Sequence, residues 1–206
     1  MTKIKICGLT GEDDALFCAS RGADFLGFIF VPESPRYVEP EKVAAIARAV
    51  RAQEGPQPQL VGVFRDASVD YVREVAQLIG LDRVQLHGSE SDDDIRSLGM
   101  PVTKTLRVGD TLPDTNAYPS ADWLLFDTYD ERREGGTGRR FDWSLLAMFG
   151  RNQPFLLAGG LTPDNVAAAV SMVRPDGIDL ASGVESSPGV KDHAKVERLI
   201  ERVRRA

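Results

Sequence analysis

The chain has 206 residues, 42% of them hydrophobic and 27% charged, a balance that fits a water-soluble globular protein with one sizeable core and excludes a disordered or fibrous one. The net charge is −6, with Lys and Arg scattered and no basic stripe, so nucleic acid is not an expected partner. No apolar run approaches the roughly 20 residues that span a bilayer, and Lys3-Ile4-Lys5-Ile6 leads straight into a strand rather than a signal core, so a cytoplasmic protein with no membrane partner is expected.

Taken in chain order, short β-rich runs recur, each followed by a polar or glycine-rich loop and usually a helical pattern. The first, Lys3 to Cys7, alternates so that Ile4 and Ile6 share one face and Lys5 and Cys7 the other; the isoleucines should meet helices, and Cys7 should point inward at a strand end. Cys18 belongs to the helix that follows and reads as a buried, inert thiol; both cysteines should be reduced. Further runs span Phe25 to Phe30, Gln59 to Phe64, Arg83 to Leu86, Val102 to Leu106, Trp123 to Asp127, Phe155 to Ala158 and Gly177 to Leu180. Apolar residues at helical spacing appear at Val43, Ile46, Ala47, Val50 and at Val72, Val75, Ala76, Ile79. Between the fifth and sixth runs, Val108 to Ser120 is rich in Gly, Pro, Asp and Thr, which predicts a helix that is short or missing. A helix carrying Val166, Ala169, Val170 and Val173 is expected to start at Thr162-Pro163, with Thr162 as its cap, and Val196, Leu199, Ile200 and Val203 mark the last helix.

Eight runs alternating with helices predict an α/β fold: a (β/α)8 TIM barrel, one domain over residues 1–206, near the lower size limit of about 200 residues for that architecture. A doubly wound open sheet is the alternative, but Cys7-Gly8-Leu9-Thr10-Gly11 does not match the G-x-G-x-x-G fingerprint of dinucleotide binding.

Three glycine-bearing loops follow the last three runs: Gly135-Gly136-Thr137-Gly138, Ala158-Gly159-Gly160-Leu161 and Ala181-Ser182-Gly183-Val184-Glu185. Glycine lets backbone N–H groups approach an anion, and barrels commonly hold phosphate after strands seven and eight. A tight turn accounts for any one such loop; two adjacent ones point to phosphate binding by Gly159, Gly160, Ser182 and Gly183. The first loop, behind the charged stretch Asp130 to Glu134, reads equally as a lid.

Among strand-end side chains, Cys7 can serve as nucleophile or general base if nearby positive charge lowers its pKa. Asp127, closing an apolar run, can be a general acid or the partner of Lys5 or Lys104. Asp179 poses the same choice. Arg36, in a proline-stiffened loop, carries a fork that suits a substrate carboxylate but equally reads as a solvated side chain. His87 ends the fourth run within reach of substrate, whereas His193 reads as surface. With two histidines and no H-E-x-x-H or C-x-x-C, no metal site is expected.

Together, Lys5-Ile6-Cys7-Gly8, Phe30 to Arg36, Val84 to Gly88, Leu125-Phe126-Asp127, Gly135 to Gly138, Ala158 to Asn165 and Asp179 to Glu185, in this order over nearly the whole chain, resemble the phosphoribosylanthranilate isomerase family of tryptophan biosynthesis. The resemblance implies an Amadori rearrangement without a cofactor. It also implies Asp127 as general acid, Cys7 as general base, Arg36 on the anthranilate carboxylate, and the Gly159-Gly160 and Ser182-Gly183 loops on the phosphate. His87 and Asp179 complete the expected substrate contacts, and a monomer or weak homodimer is expected. The rivals are a Schiff-base aldolase using Lys5 or Lys104 and a non-catalytic phosphosugar-binding barrel. A dual-pathway isomerase would, by the same resemblance, carry aspartate where this chain has Cys7.

Overall fold

The structure, a computed structural model, describes residues 1–128, 142–147 and 153–206. The elements run β1 (Lys3–Ile6), α1 (Glu12–Ser20), β2 (Phe25–Ile29), α2 (Pro40–Arg51), β3 (Gln59–Phe64), α3 (Val69–Ile79), β4 (Arg83–Leu86), α4 (Asp92–Leu98) and β5 (Val102–Val108). They continue with β6 (Trp123–Thr128), α5 (Ser144–Ala147), β7 (Phe155–Leu157), α6 (Val166–Val173), β8 (Gly177–Leu180), β9 (Glu185–Ser187), β10 (Val190–Lys191) and α7 (His193–Arg205). Strands β1 to β8 pair in sequence order, all parallel, and β8 returns to β1 with Lys5 opposite Asp179, so the sheet closes into a barrel. The helix-poor stretch after β5 holds only a 3-10 turn at Thr115–Ala117. No described helix is long and apolar enough to cross a membrane.

Local chemistry explains the element ends. Ser68 caps α3 by accepting from the Tyr71 amide, and Gly80 ends it in the left-handed region. Ser91 and Asp94 form a reciprocal capping box on α4. The expected cap of α6 is corrected: the helix begins at Val166 with Asn165 before it, and Thr162 lies in a preceding turn. Thr162 still opens that turn as expected, its hydroxyl accepting from the Asp164 amide at 3.3 Å and its carbonyl from the Val166 amide at 3.0 Å, while the Asn165 side chain accepts from the Thr162 amide and donates to the Gly160 carbonyl.

Strand alternation sorts the side chains. Ile4, Ile6, Leu26, Phe28, Leu124 and Phe126 join the large core between sheet and helices, whereas Phe25, Val61, Leu125, Leu156 and Ala158 form a separate cluster inside the barrel.

At the barrel's N-terminal rim, an aspartate stands immediately before every even strand. Asp24 accepts from the Ile4 amide at 2.9 Å, Asp82 from Leu60 at 2.7 Å, Asp122 from Val102 at 2.8 Å and Asp176 from Phe155 at 3.0 Å. In each case the aspartate's own amide returns a bond to the same residue's carbonyl. Each odd strand is thus latched to the next even one, and four donors at strand starts gain acceptors. Burial opposes the charge on Asp24, but Lys3, the Ile4 amide and Arg204 outweigh it and hold its carboxyl below the usual carboxylate range. That contribution is present above the ordinary carboxylate pKa and is lost as pH falls through the lower, folded value.

Asp82→Ala removes one latch and is expected to cost about 1–3 kcal/mol, the penalty for orphaning a backbone donor. Calorimetry should show Tm falling by about 2–4 °C per kcal/mol. An unchanged Tm would remove the latch as a stabilising element.

Candidate active site

At the opposite rim the strand ends bring together five of the side chains singled out from sequence or their neighbours: Cys7 just after β1, His87 just after β4, Arg107 in β5, Asp127 in β6 and Asp179 in β8. Register places Arg107 opposite Asp127. The His87 ring nitrogen Nε2 lies 3.8 Å from the Asp127 carboxylate.

Lys5 and Asp179 form the centre of the site. The Lys5 ammonium, 1% exposed, donates to both Asp179 oxygens at 3.0 Å. Burial alone would push the lysine toward neutrality, yet Asp179 and the Cys7 thiol reverse this and raise its pKa. Lys5 is therefore held as an ammonium ion. The alternative in which Lys5 or Lys104 neutralises Asp127 is corrected, because Lys104 instead donates to Glu90 and the Gly88 carbonyl, each at 2.6 Å. Loop 87–90 folds back over β5 and supplies that nearer partner.

Cys7 lies inside the barrel, as the alternation of β1 requires, and is 6% exposed. Its sulfur stands 2.9 Å, and Lys5 Nζ 3.1 Å, from where a Cβ on Gly27 would sit, so any larger residue at 27 would displace both. Burial pushes the Cys7 thiol up; Lys5 and Lys191 pull it back, and Asp179 adds to the rise. Cys18 is buried as expected and is pushed up to about 12 by the same desolvation.

Asp127 is pushed up to about 6, chiefly by burial, with Asp179 adding to the rise and the Thr128 amide, Arg107 and Lys5 opposing it. His87 moves the other way, down to about 4, because burial and then the cations Arg107, Lys5, Lys104 and Arg65 disfavour its charge. The site thus presents a neutral imidazole beside a carboxyl group that takes up a proton near neutral pH.

Arg36 is neither solvated nor wholly free. Its Nε donates to Glu185 at 2.9 and 3.1 Å and its Nη2 at 2.7 Å, and its stem crosses Gly8. The bond to Glu185 holds the guanidinium pKa up. Its Nη1 makes no hydrogen bond among the described residues and is the edge left for a ligand. Sequence reasoning gave no role to Glu185 and did not single out Lys191, Arg107, Gln85 or Thr105. Gln85 and Thr105 are buried on β4 and β5, and their Oε1 and Oγ1 make no hydrogen bond among the described residues. The one available signal was alternation, since Gln85 and Arg107 share the inward parity of His87 and Asp127.

The two glycine loops after β7 and β8 meet. Gly159 and Gly160 have φ of 85° and 65°, a region that favours glycine, and their amides donate to no protein acceptor among the described residues. A Cβ on Gly183 would run into the Leu161 carbonyl, so only glycine lets the Ser182–Val184 turn press against the Gly160-Leu161 loop. Gly135 to Gly138 and Asp130 to Glu134 lie outside the described residues. Among the described residues, no group of three His, Cys, Asp or Glu side chains could hold a metal ion.

Comparison with known proteins gives one consistent result. A sequence profile described as N-(5′phosphoribosyl)anthranilate (PRA) isomerase matches residues 4–202. A Geotalea uraniireducens protein named N-(5′-phosphoribosyl)anthranilate isomerase is 44% identical over 206 residues, covering 99% of each chain. The crystal structure of phosphoribosyl anthranilate isomerase from Thermotoga maritima is similar with a TM-score of 0.90 and 36% identity over all of both chains. A phosphoribosyl anthranilate isomerase in complex with reduced 1-(o-carboxyphenylamino)-1-deoxyribulose 5-phosphate is similar with a TM-score of 0.83 and 34% identity over all of both chains.

Both thiols are buried and held in the protonated form at neutral pH, so neither should react readily with a disulfide reagent in the native protein at pH 7. Both should titrate after denaturation. Rapid native labelling of the thiol at position 7 would contradict the raised pKa.

Proposed function

The chain belongs to the N-(5′-phosphoribosyl)anthranilate isomerase family, and from that premise we propose that Cys7 is the general base and Asp127 the general acid of its reaction. The enzyme converts N-(5-phosphoribosyl)anthranilate to 1-(2-carboxyphenylamino)-1-deoxyribulose 5-phosphate, an aldose–ketose isomerisation of the Amadori type in tryptophan biosynthesis. The observation that carries the residue assignment is that thiol and carboxyl group both reach the mouth of the barrel close enough to the Lys5–Asp179 pair to feel both of its charges.

In this reading Asp127 gives its proton to the ribose ring oxygen as the bond from C1 to that oxygen breaks. The anthranilate nitrogen lone pair forms the C1=N bond of a protonated Schiff base. The Cys7 thiolate removes the proton from C2, and the electron pair left there neutralises the imine as an enolamine. Return of a proton to C1, with loss of the hydroxyl proton at C2, gives the ketone. Protons pass between the two side chains and the substrate, and the oxidation of C2 is balanced by the reduction of C1 in the same molecule, so the reading assigns no cofactor.

Arg36 offers Nη1 to the anthranilate carboxylate while Glu185 holds its other two nitrogens. His87 contacts substrate as a neutral ring, and Asp179, acceptor-only while ionised, takes a sugar hydroxyl. The amides of Gly159, Gly160, Ser182 and Gly183 are assigned to the phosphate, a class of site that favours anions by backbone donation alone. The Schiff-base aldolase is disfavoured because Lys5 is kept protonated by Asp179.

With Asp127 near 6 and Cys7 above the ordinary thiol value of 9.0, the pair holds one proton between those limits. The reactive form carries it on Asp127, a tautomer whose share is constant across the interval. The profile of kcat/KM is therefore expected to be flat from about 6 to above 9.0, falling on the acid side as Cys7 and Asp127 are both protonated and on the alkaline side as both lose the proton.

The test follows the loss of substrate fluorescence with freshly made N-(5-phosphoribosyl)anthranilate. Cys7→Ala and Asp127→Asn should each lower kcat about 10²–10⁴-fold with Tm little changed. Undiminished turnover in either variant would reject that residue's role.

A further inference from the structure

We propose that Glu185 and Lys191, carried on the hairpin formed by β9 and β10, are positioning residues that fix the base Cys7 and the substrate-binding Arg36 as one unit. The inference rests on the roles given above to those two residues.

The Lys191 side chain is fully buried and that of Glu185 is 4% exposed. Lys191 Nζ donates to Glu185 Oε1 at 2.8 Å, to the Cys7 carbonyl at 2.6 Å and to the Ala181 carbonyl at 3.5 Å. Glu185 in turn receives Arg36 on both oxygens and the Gly189 amide at 3.3 Å. One ion pair therefore holds the main chain at the base and two nitrogens of the arginine. It spans 184 residues of sequence to reach Cys7 and 149 to reach Arg36.

The hairpin that carries the pair is itself fastened to the loop after β1 and to the first turn of α1. Thr10 Oγ1 donates to the Gly189 carbonyl at 2.7 Å, and the Lys191 amide donates to Asp14 at 2.8 Å. Lys195 on α7 donates to the Glu185 carbonyl at 2.8 Å. Stability alone does not call for charges at such a place, since a buried ion pair gains little over apolar residues of the same volume. What the pair supplies is geometry and charge. The bidentate grip consumes Nε and Nη2 of Arg36 and turns Nη1 outward. It also leaves a net positive charge beside the thiol, because Lys191 and Arg36 together face a single Glu185.

The charged groups around Cys7 are Lys5 from β1, Asp179 from β8, Lys191 from β10 and Arg36 from the loop after β2, with Glu185 behind the last two. Gly27, from β2, contributes no side chain. Of these, Lys5 pulls hardest on the thiol and Asp179 opposes it, while Lys191, bound to the Cys7 carbonyl, adds a further positive charge. Removing it should make the thiolate harder to form, and removing Glu185 should make it easier.

The experiment is thiolate absorbance titration in a Cys18→Ala background, with the titration of a Cys7→Ala, Cys18→Ala blank subtracted to remove the tyrosines, together with kcat and KM for N-(5-phosphoribosyl)anthranilate. Lys191→Met should raise the Cys7 titration by about one unit and lower the plateau of kcat/KM about tenfold. Glu185→Gln should lower the same titration and raise KM several-fold, as Arg36 loses its charged partner. A purely structural role would move neither titration, or both in one direction, and either result overturns the proposal. If Lys191→Met does not fold, Glu185→Gln decides alone: a Cys7 titration that is unmoved or raised overturns it. A parent enzyme that fails to turn over the substrate would overturn the functional reading instead, while the titrations still decide this one.

Discussion

The barrel closes on a charge. Where β8 meets β1, Lys5 and Asp179 face each other across the ladder with two 3.0 Å contacts, sealed from water. Two residues further along β1 the chain leaves the sheet, its amide still bound to the Leu180 carbonyl at 2.8 Å, and that residue is Cys7. The thiol is thus placed by the act of closure, between elements that come from opposite ends of the chain. A neutral seam would hold the strands equally well, but it would remove the strongest of the positive charges that pull the thiol's pKa back against desolvation.

Desolvation is the common cause of the site's electrostatics, and it acts in opposite senses on different chemistry. It raises the carboxyl of Asp127 and the thiol of Cys7 while it lowers the imidazole of His87, so all three are pressed toward neutrality. The fixed cations Lys5, Arg107 and Lys191 then differentiate them. A partly buried mouth lined with committed positive charge suits a substrate that is anionic at both ends.

Much of this was legible in the amino-acid order because the relevant signals are local. Alternation in Lys3-Ile4-Lys5-Ile6-Cys7 gave the inward direction of Cys7, and an aspartate ending Trp123 to Phe126 marked a strand end. The absent helix after β5 followed from its composition. What was not legible depends on contacts made across the fold. Lys191 lies in a strand of two residues, too short for periodicity, and its partner Cys7 belongs to the other end of the chain. Only the Pro188-Gly189 dipeptide hinted at the hairpin. Lys104 looked available to Asp127 because sequence does not reveal that Glu90 folds back to reach it. The start of α6 was placed too early, since Thr162 opens a turn that leads into the helix at Val166.

The aspartate carboxylates of the N-terminal rim bind strands two by two, β1 to β2, β3 to β4, β5 to β6 and β7 to β8; from one pair to the next the aspartates contribute only main-chain bonds, the Asp24 carbonyl to the Gln59 amide and the Asp176 carbonyl to the Lys3 amide. The smallest self-fastened piece is therefore a quarter of the barrel rather than an eighth. A covalent break within a pair separates a latch from its strand, whereas one between pairs leaves all four intact. The exposed turn at 53–57, between α2 and β3, is such a junction, so the polypeptide can acquire fresh ends there, with the old ends joined, at smaller cost than at any site inside a quarter.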